Sequence, residues 1–202
     1  MICSGVYPFL AIYPPFLRDY NWYRFRGAGQ YLQDSHNFLS IAEKAFKASN
    51  EREARRYYRA SVFYSAGAIE AFVNYIADSF AKAESLTAHE IAFLNDRRLV
   101  FSVDSGLNER TEYHSIDDKL RLLLSKFVSG FDFNGGTWSS FMQFKNFRDL
   151  LVHPRQADDT TEITEYQKKV KAGLSSIIEL MNCVSKGIFK KPLRKQLLDL
   201  IP

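Results

Sequence analysis

The sequence predicts an all-α protein: an antiparallel bundle of four to five helices, preceded by an irregular aromatic N-terminal arm and followed by a short C-terminal helix. Apolar residues recur at alternating steps of three and four over several long stretches, which is the period of a helix face turned towards a core. No stretch alternates apolar and polar residues, and there is no strand–helix–strand rhythm and no internal repeat. A helical bundle is therefore the simplest architecture.

Composition places the chain among soluble globular domains. Its 202 residues are 46% hydrophobic and 25% charged, which suits one sizeable core and excludes a collagen-like, low-complexity or wholly disordered chain. We expect an arm over residues 1–30, a bundle over 31–186 and a basic extension over 187–202. The two cysteines, Cys3 and Cys183, cannot form a disulfide framework or a multi-thiolate zinc site, so we expect a reducing, cytoplasmic location.

Neither apolar stretch of the chain is expected to cross a membrane. Residues 1–17 lack a basic start and contain three prolines. Residues 61–81 carry Glu70 near the middle and Asn74 one turn later, and inserting a charge at that depth costs about 3 kcal/mol. A helix buried in a soluble bundle explains the second stretch at lower cost.

The first two helices are predicted from glycines and from a cap. The arm, whose residues 7–25 are crowded with aromatic side chains, ends at Gly27 and Gly29, and a helix follows over about 31–47. Asn50, with Glu53 three residues on, is a typical N-cap pair for a second helix that runs to about residue 82. Two faces of that helix are largely apolar or small, so we expect it at the centre of the fold. They comprise Val62, Ala66, Ile69, Val73, Ile76 and Phe80 on one side, and Phe63, Gly67, Glu70, Asn74 and Ala77 on the other.

The middle of the chain is predicted to hold two capped helices with a loop between them. Thr87, with Glu90, begins a short helix to about residue 95. Residues 99–113 show no helical period, and we interpret them as a loop or an insertion. Ser115, with Asp118, begins a longer helix that ends before residue 130.

Three more helices are predicted towards the C-terminus. Thr137 caps a helix that Pro154 ends, because the residue before a proline is pushed out of the α region. A long helix over about 161–186 closes at Gly187, and Pro192 opens the short terminal helix. The two longer helices have apolar stripes that we expect in the core: Trp138, Phe141, Phe144, Phe147 and Leu151 in the first, and Ile163, Tyr166, Val170, Leu174, Ile177, Ile178 and Met181 in the second.

Several familiar catalytic motifs are absent from the sequence. It contains no Gly-rich phosphate loop, dinucleotide fingerprint, nucleophile elbow or His-Glu-x-x-His. The four histidines, His36, His89, His114 and His153, stand far apart, so we expect no metal site.

One segment, residues 147–154, places a cation, a carboxylate and an imidazole on the last turns of a helix. Asp149 and His153 are four residues apart, so the carboxylate can reach the ring and hold its tautomer or raise its basicity. Arg148 lies about 140° around the axis from His153, so a single helix would aim the two groups poorly at one phosphate. Two copies of the helix meeting across a two-fold axis would bring both groups into a shared groove.

Without a metal, these side chains suit attack of an RNA 2′-hydroxyl on the adjacent phosphate. His153 would act as general acid or base, which is typically worth about 10²–10⁴-fold, and Arg148 would neutralise the charge that develops on the phosphorane. The plainer interpretation is a helix C-terminus at which His153 and Arg155 favour the dipole and Arg148 pairs with a nearby acid.

These residues resemble the HEPN domains (higher eukaryotes and prokaryotes nucleotide-binding). The ribonuclease members of that family are similar in having an Arg, a polar residue directly after it and a His four to six residues further on, near the end of a helix in an all-α bundle. Arg148, Asp149 and His153 match those three positions. Glu70 and Asn74 resemble the polar pair that many such domains bury in a central helix. The resemblance follows the helix order over about residues 31–186.

The resemblance implies a homodimeric, metal-independent endoribonuclease without a cofactor, often the toxin of a toxin–antitoxin pair or a component of phage defence. In it, His153 is the acid or base, Arg148 the charge stabiliser and Asp149 the orienting group. Asn is commoner at the position of Asp149; this leaves activity open, because an ionised Asp cannot donate a hydrogen bond.

Two alternatives to catalysis remain open. Other HEPN members look like non-catalytic partners of nucleotidyltransferases, so the chain is alternatively a binding module that recruits or neutralises a partner enzyme. A scaffold whose aromatic arm, residues 7–25, docks another chain is the other alternative.

Positive charge is concentrated near the C-terminus. The net charge is +4, and between residues 168 and 195 eight basic residues stand against one acid, Glu179. We expect this segment to hold an RNA backbone, whereas the plainer interpretation is a solvated helix face and a loose tail. The candidate contacts are Lys168, Lys169, Lys171, Lys190, Lys191, Arg194 and Lys195.

Overall fold

The described part of the chain forms seven helices and one β-hairpin. This computed structural model describes residues 22–80, 85–104, 106–153 and 161–202, with side chains from Gly27 onwards except that of Phe80. The predicted helical bundle is confirmed, and the hairpin is an addition to it. The elements are α1 (Trp22–Lys47), α2 (Glu51–Phe80), α3 (Ala88–Leu94), β1 (Arg97–Ser102), β2 (Gly106–Thr111), α4 (Ile116–Phe127), α5 (Gly136–Val152), α6 (Ile163–Phe189) and α7 (Lys195–Leu198).

Helix α1 begins earlier than the sequence suggested. It starts at Trp22, so the last part of the predicted irregular arm is helical, and residues 1–21 lie outside the described residues. Gly29 stands inside the helix, where a Cβ atom would lie 3.6 Å from the Leu197 side chain. This contact packs α7 against the beginning of α1.

Three of the predicted helix caps are confirmed. The Asn50 side chain accepts a hydrogen bond from the backbone N–H of Glu53 at 3.2 Å. Thr87 and Glu90 form a reciprocal capping box at the start of α3. The Ser115 hydroxyl accepts from the backbone N–H of residue 118 at the start of α4.

The predicted cap at Thr137 is wrong. Helix α5 begins after Gly135, which has no side chain to cap it, and the Thr137 hydroxyl instead donates to the Glu179 carboxylate of α6 at 2.7 Å. Helix α6 also continues past Gly187, the predicted stop. It runs to Phe189, and its C-cap is Lys190, whose φ of 56° lies in the left-handed region.

Helix α2 occupies the centre of the bundle and packs against α1, α3, α4, α5 and α6. The predicted core stripe is confirmed from Val62 to Ile76, because all five of its described members are buried. The α1–α2 pairing also buries a hydroxyl cluster, in which the Ser35 Oγ lies 3.0 Å from the Ser61 Oγ and 2.6 Å from the Ser65 Oγ. None of the described helices is long and apolar enough to cross a membrane.

Two long helices run in the same direction, so the bundle is not antiparallel throughout. The Arg55 guanidinium of α2 donates to the Thr161 carbonyl just before α6 at 2.8 Å. Three residues further along α2, the Tyr58 ring lies 6.0 Å from the Tyr166 ring of α6. The two helices therefore start at the same end of the bundle, whereas α1 and α5 run against them.

Residues 97–111 form a β-hairpin, so of the two interpretations of 99–113 the loop is wrong, and the expectation that the chain has no strands is wrong with it. Strands β1 and β2 pair antiparallel, with Phe101 opposite Leu107. The Phe101 and Leu107 side chains are 74% and 64% exposed. Because no face of the hairpin is buried in the bundle, nothing requires the alternation of apolar and polar residues by which strands are normally predicted.

Candidate functional site

Aromatic side chains fix the helix that carries the predicted motif. The residues Trp138, Phe141, Phe144 and Phe147 of α5 are buried, as predicted. Phe144 packs so closely on α6 that a Cβ atom at Gly173 would lie 2.0 Å from its ring. Phe147 meets the Tyr166 ring edge to face, with 4.7 Å between the centroids. These contacts hold the backbone of the motif against α6.

His153 stands at the end of α5 and is exposed to solvent. Helix α5 ends at Val152, as predicted, and the backbone N–H of His153 donates to the Asp149 carbonyl at 3.0 Å. The proline predicted to stop the helix, Pro154, lies outside the described residues.

Arg148 is held by two carboxylates. Its Nη2 lies 3.5 Å from Oε1 of Glu70 on α2, and its Nε lies 3.3 Å from Oδ1 of Asp149. Helical side chains lean towards the N-terminus of their own helix, so Arg148 and Glu70 converge from two helices that run in opposite directions. The Arg148 side chain is 25% exposed and its two partners are about half exposed. Ion pairs as exposed as these are worth at most about 1 kcal/mol each.

Asp149 does not make the contact expected of it. Its carboxylate pairs with Arg148, and the described residues contain no hydrogen bond or ion pair between the Asp149 and His153 side chains. Asp149 therefore orients the guanidinium, and the imidazole is positioned by its own backbone at the helix end. The Arg–acid pair of the plainer interpretation is also present, in the form of Arg148 with Glu70 and Asp149.

The expectation that Glu70 and Asn74 are buried is wrong. Both are exposed on the outward face of α2, which also carries Phe63. The buried polar groups of α2 are instead Ser61 and Ser65. The sequence does not decide between the two pairs, because the line through Ser61 and Ser65 and the line through Glu70 and Asn74 both mix polar residues with small or apolar ones.

A shallow depression beside Arg148 contains a second cation, which sequence reasoning missed. Lys145 lies one turn before Arg148 on the same face of α5, and both line the depression together with Glu70 and Phe141. The Lys145 ammonium lies 3.2 Å from the Asp117 carboxylate. Burial raises the pKa of Asp117, but hydrogen bonds from Ser115 and Lys145 outweigh it and bring the net pKa below its usual value. The spacing of Lys145 and Arg148 was visible in the sequence.

The basic segment forms two separate patches. Lys168 is exposed near the motif end of α6, and the Lys169 ammonium lies 5.3 Å from the centre of the Phe147 ring. Lys171 pairs with Glu43 of α1. The other charges lie at the far end of α6 and beyond it; by the rise of the helix, Lys186 is about 27 Å and Lys190 about 33 Å from Lys168. They are Lys186, Lys190, Lys191, Arg194 and Lys195. The segment predicted to hold an RNA backbone is therefore divided between the two ends of α6.

No metal-binding cluster is found in the described part of the chain: no three His, Cys, Asp or Glu side chains there are grouped closely enough to hold an ion. No family model, no curated protein and no solved structure matches the chain.

Proposed function

We propose that the protein is a metal-independent endoribonuclease of the HEPN type that acts as a cytoplasmic homodimer. The observation that carries the proposal is the arrangement at the end of α5. An exposed imidazole, His153, stands five residues beyond a guanidinium, Arg148, whose carboxylate partners are half exposed. Because those ion pairs are weak, an RNA phosphate can displace them.

The proposed reaction is an internal transesterification. The neutral His153 ring accepts the proton of the RNA 2′-hydroxyl, and the 2′-oxygen forms a bond to the adjacent phosphorus. The bond from phosphorus to the 5′-oxygen breaks, and that oxygen takes a proton from solvent water while His153 returns its proton to solvent, so the products are a 2′,3′-cyclic phosphate and a 5′-hydroxyl. Arg148 stabilises the charge on the phosphorane, where a planar guanidinium fits two phosphate oxygens.

The test is cleavage of a labelled RNA by the purified chain in EDTA. We expect cyclic-phosphate ends from the wild type, and a loss of at least about 100-fold in both Arg148→Ala and His153→Ala. Matched controls are Arg98→Ala on the hairpin and His89→Ala, which remove an exposed Arg and an exposed His away from the motif. An RNA with 2′-O-methyl groups should remain intact. Equal activity of Arg148→Ala and wild type, with the fold retained, would refute the proposal.

A second candidate is a non-catalytic HEPN-type binding module. The two carboxylates on Arg148 favour it, because they offset the charge that a phosphate would need. Such a module would recruit or neutralise a partner enzyme, such as a nucleotidyltransferase, whereas a toxin would be held in check by an antitoxin. Binding of RNA or of a partner without any cleavage in EDTA, by a folded dimer, would select the module.

A further inference from the structure

The outward face of α2 carries opposite charges at its two ends and an apolar centre. Arginines occupy its N-terminal half, an exposed aromatic ring and a glycine lie in the middle, and an acid and an amide follow in the C-terminal half. Successive members are three or four residues apart, so they form one stripe along the helix. We name as the α2 stripe the residues Arg56, Arg59, Phe63, Gly67, Glu70 and Asn74.

In a single copy of the chain, the α2 stripe leaves charged and aromatic side chains exposed. Arg56 and Arg59 are both exposed one turn apart, and neither has a hydrogen bond or an ion pair within the described residues. The Phe63 side chain is 43% exposed. Next to it, the exposed Tyr31 ring of α1 lies 3.7 Å from the position of a Cβ atom at Gly67, and this widens the apolar centre. Exposed aromatic groups rimmed by charge are typical of protein interfaces.

We propose that a second copy of this chain docks on the α2 stripe, with the two α2 helices antiparallel about a two-fold axis at the level of residue 65. In this register, Phe63 of each copy faces Gly67 of the other, where its ring meets the Tyr31 ring that lies beside that glycine. Arg59 of each copy then faces Glu70 of the other, and Arg56 faces Asn74. The stripe is self-complementary because its charge changes sign about its midpoint.

A second copy fits the α2 stripe better than a polyanion does. An RNA backbone would be attracted to Arg56 and Arg59 and repelled by Glu70, so only half of the stripe would bind it. The apolar centre at Phe63 would also be left without a partner. Helix α2 has 30 residues, about 45 Å by the helical rise, which provides a long contact for another helix.

The docking also has a consequence for the motif, and this step rests on the proposed function. A two-fold axis of this kind leaves both α5 helices on the same side of the interface. Arg148 reaches the interface at Glu70, about 7.5 Å along α2 from the axis. Because α5 runs opposite to α2, His153, five residues after Arg148, lies about 7.5 Å back along the bundle and so at the level of the axis. Arg148 and His153 of one copy point about 140° apart around α5, so each groove takes the imidazole of one copy and the guanidinium of the other.

The test is a charge exchange measured by sedimentation. We expect the wild type to dimerise, and both Arg59→Glu and Glu70→Arg to dimerise at least about tenfold more weakly, because each places two like charges opposite each other. An equal mixture of the two variants should recover the dimer, because every substituted side chain then faces an opposite charge. Phe63→Glu should also be monomeric, whereas the matched variant Phe101→Glu, on the exposed hairpin, should dimerise like the wild type.

The outcomes separate the docking surface from the ribonuclease proposal, because sedimentation reports mass and not cleavage. A wild type that is monomeric, or a mixture that dimerises no better than its components, would overturn the surface. A monomeric wild type whose RNA affinity falls in Arg59→Glu would assign the stripe to RNA and also overturn it. If the mixture of the two variants recovers the dimer but the wild type cleaves no RNA, the docking surface is supported and the ribonuclease proposal is refuted.

Discussion

The Arg148 guanidinium and the Glu70 carboxylate approach to 3.5 Å, which ties the cation of the motif to the central helix of the bundle. Asp149 supplies a second carboxylate at 3.3 Å. Each of these acids has about half of its side chain exposed, so water screens both ion pairs. In the free protein, the charge of Arg148 is therefore offset by two carboxylates. An incoming phosphate can replace them as the partner of the guanidinium.

We predict that Asp149→Asn binds RNA about two- to fivefold more tightly than the wild type. The substitution removes one of the two negative charges beside Arg148 and adds a hydrogen-bond donor, and a surface ion pair of this kind is worth about 0.5–1 kcal/mol. Filter binding or fluorescence anisotropy with a short RNA measures the change. The matched control is Glu109→Gln, which releases Arg97 on the hairpin and should leave the affinity unchanged. Weaker binding by Asp149→Asn would show that the carboxylate is needed to position Arg148.

The two basic patches, at the two ends of α6, should contribute differently to RNA binding. We predict that the double variant Lys168→Ala/Lys169→Ala weakens RNA binding and lowers the dependence of the affinity on salt by about one to two released ions. The control double variant, Lys191→Ala/Lys195→Ala, removes the same charge at the far end of α6 and should have the smaller effect. Titrations at several salt concentrations compare the two. A larger effect of the far patch would place the RNA away from His153.

Gly173 should be essential for the seating of α5. A Cβ atom there would lie 2.0 Å from the Phe144 ring, so we predict that Gly173→Ala lowers the free energy of unfolding by about 1–3 kcal/mol, although alanine favours helices. The control is Gly29→Ala, where the nearest side-chain atom lies 3.6 Å away. We expect that variant to be unchanged or more stable by about 0.5–1 kcal/mol. Urea unfolding measures both, and a Gly173→Ala variant as stable as the wild type would contradict this packing.

The Asp96–Lys119 pair predicts how stability changes in acid. The Asp96 carboxylate accepts two hydrogen bonds: one from the buried Lys119 ammonium at 2.7 Å, and one from the backbone N–H of His114 at 2.9 Å. Burial raises the pKa of Asp96, but these hydrogen bonds outweigh it, so the net pKa lies below the usual 3.8. A carboxylate with a depressed pKa in the folded state stabilises the fold above pH 3.8, and that contribution is lost as the pH falls further.

We therefore predict that Asp96→Asn lowers the free energy of unfolding by about 1–3 kcal/mol at neutral pH, because Lys119 loses its counter-charge. Its stability should also fall less steeply below pH 4 than that of the wild type. Asparagine tolerates the φ of 57° at this position, so backbone strain does not confuse the result. Glu51→Gln, in an exposed pair with Arg55, should change stability by less than about 0.5 kcal/mol. Identical acid limbs for Asp96→Asn and wild type would contradict the prediction.

The helices were predictable because their signals are local. The caps at Asn50, Thr87 and Ser115 depend on residues three apart in the sequence. The buried stripe of α2 depends on apolar residues that recur with the period of the helix. Thr137 was misjudged because a hydroxyl that suits a cap also suits a contact with Glu179, forty-two residues further on. The hairpin was missed because Phe101 and Leu107 are exposed, so no buried face imposed its pattern on the sequence.

The motif was predictable as a set of residues but not as a set of contacts. The spacing of Arg148 and His153 is visible in the sequence, whereas the position of α2 decides that Glu70 reaches Arg148. By spacing, the Asp149 carboxylate can reach either Arg148 or His153, and only the structure shows that it pairs with the Arg148 guanidinium. The division of the basic segment likewise follows from the length of α6, which keeps Lys168 and Lys190 apart.

The central claim is that each cleavage site takes Arg148 from one copy and His153 from the other. Mixing Arg148→Ala with His153→Ala, each inactive alone, tests it directly. Random assortment makes about half of the dimers mixed, and each mixed dimer has one intact site, so we predict recovery of about a quarter of the wild-type rate of RNA cleavage. Folded, mixed dimers that recover no activity would contradict the claim.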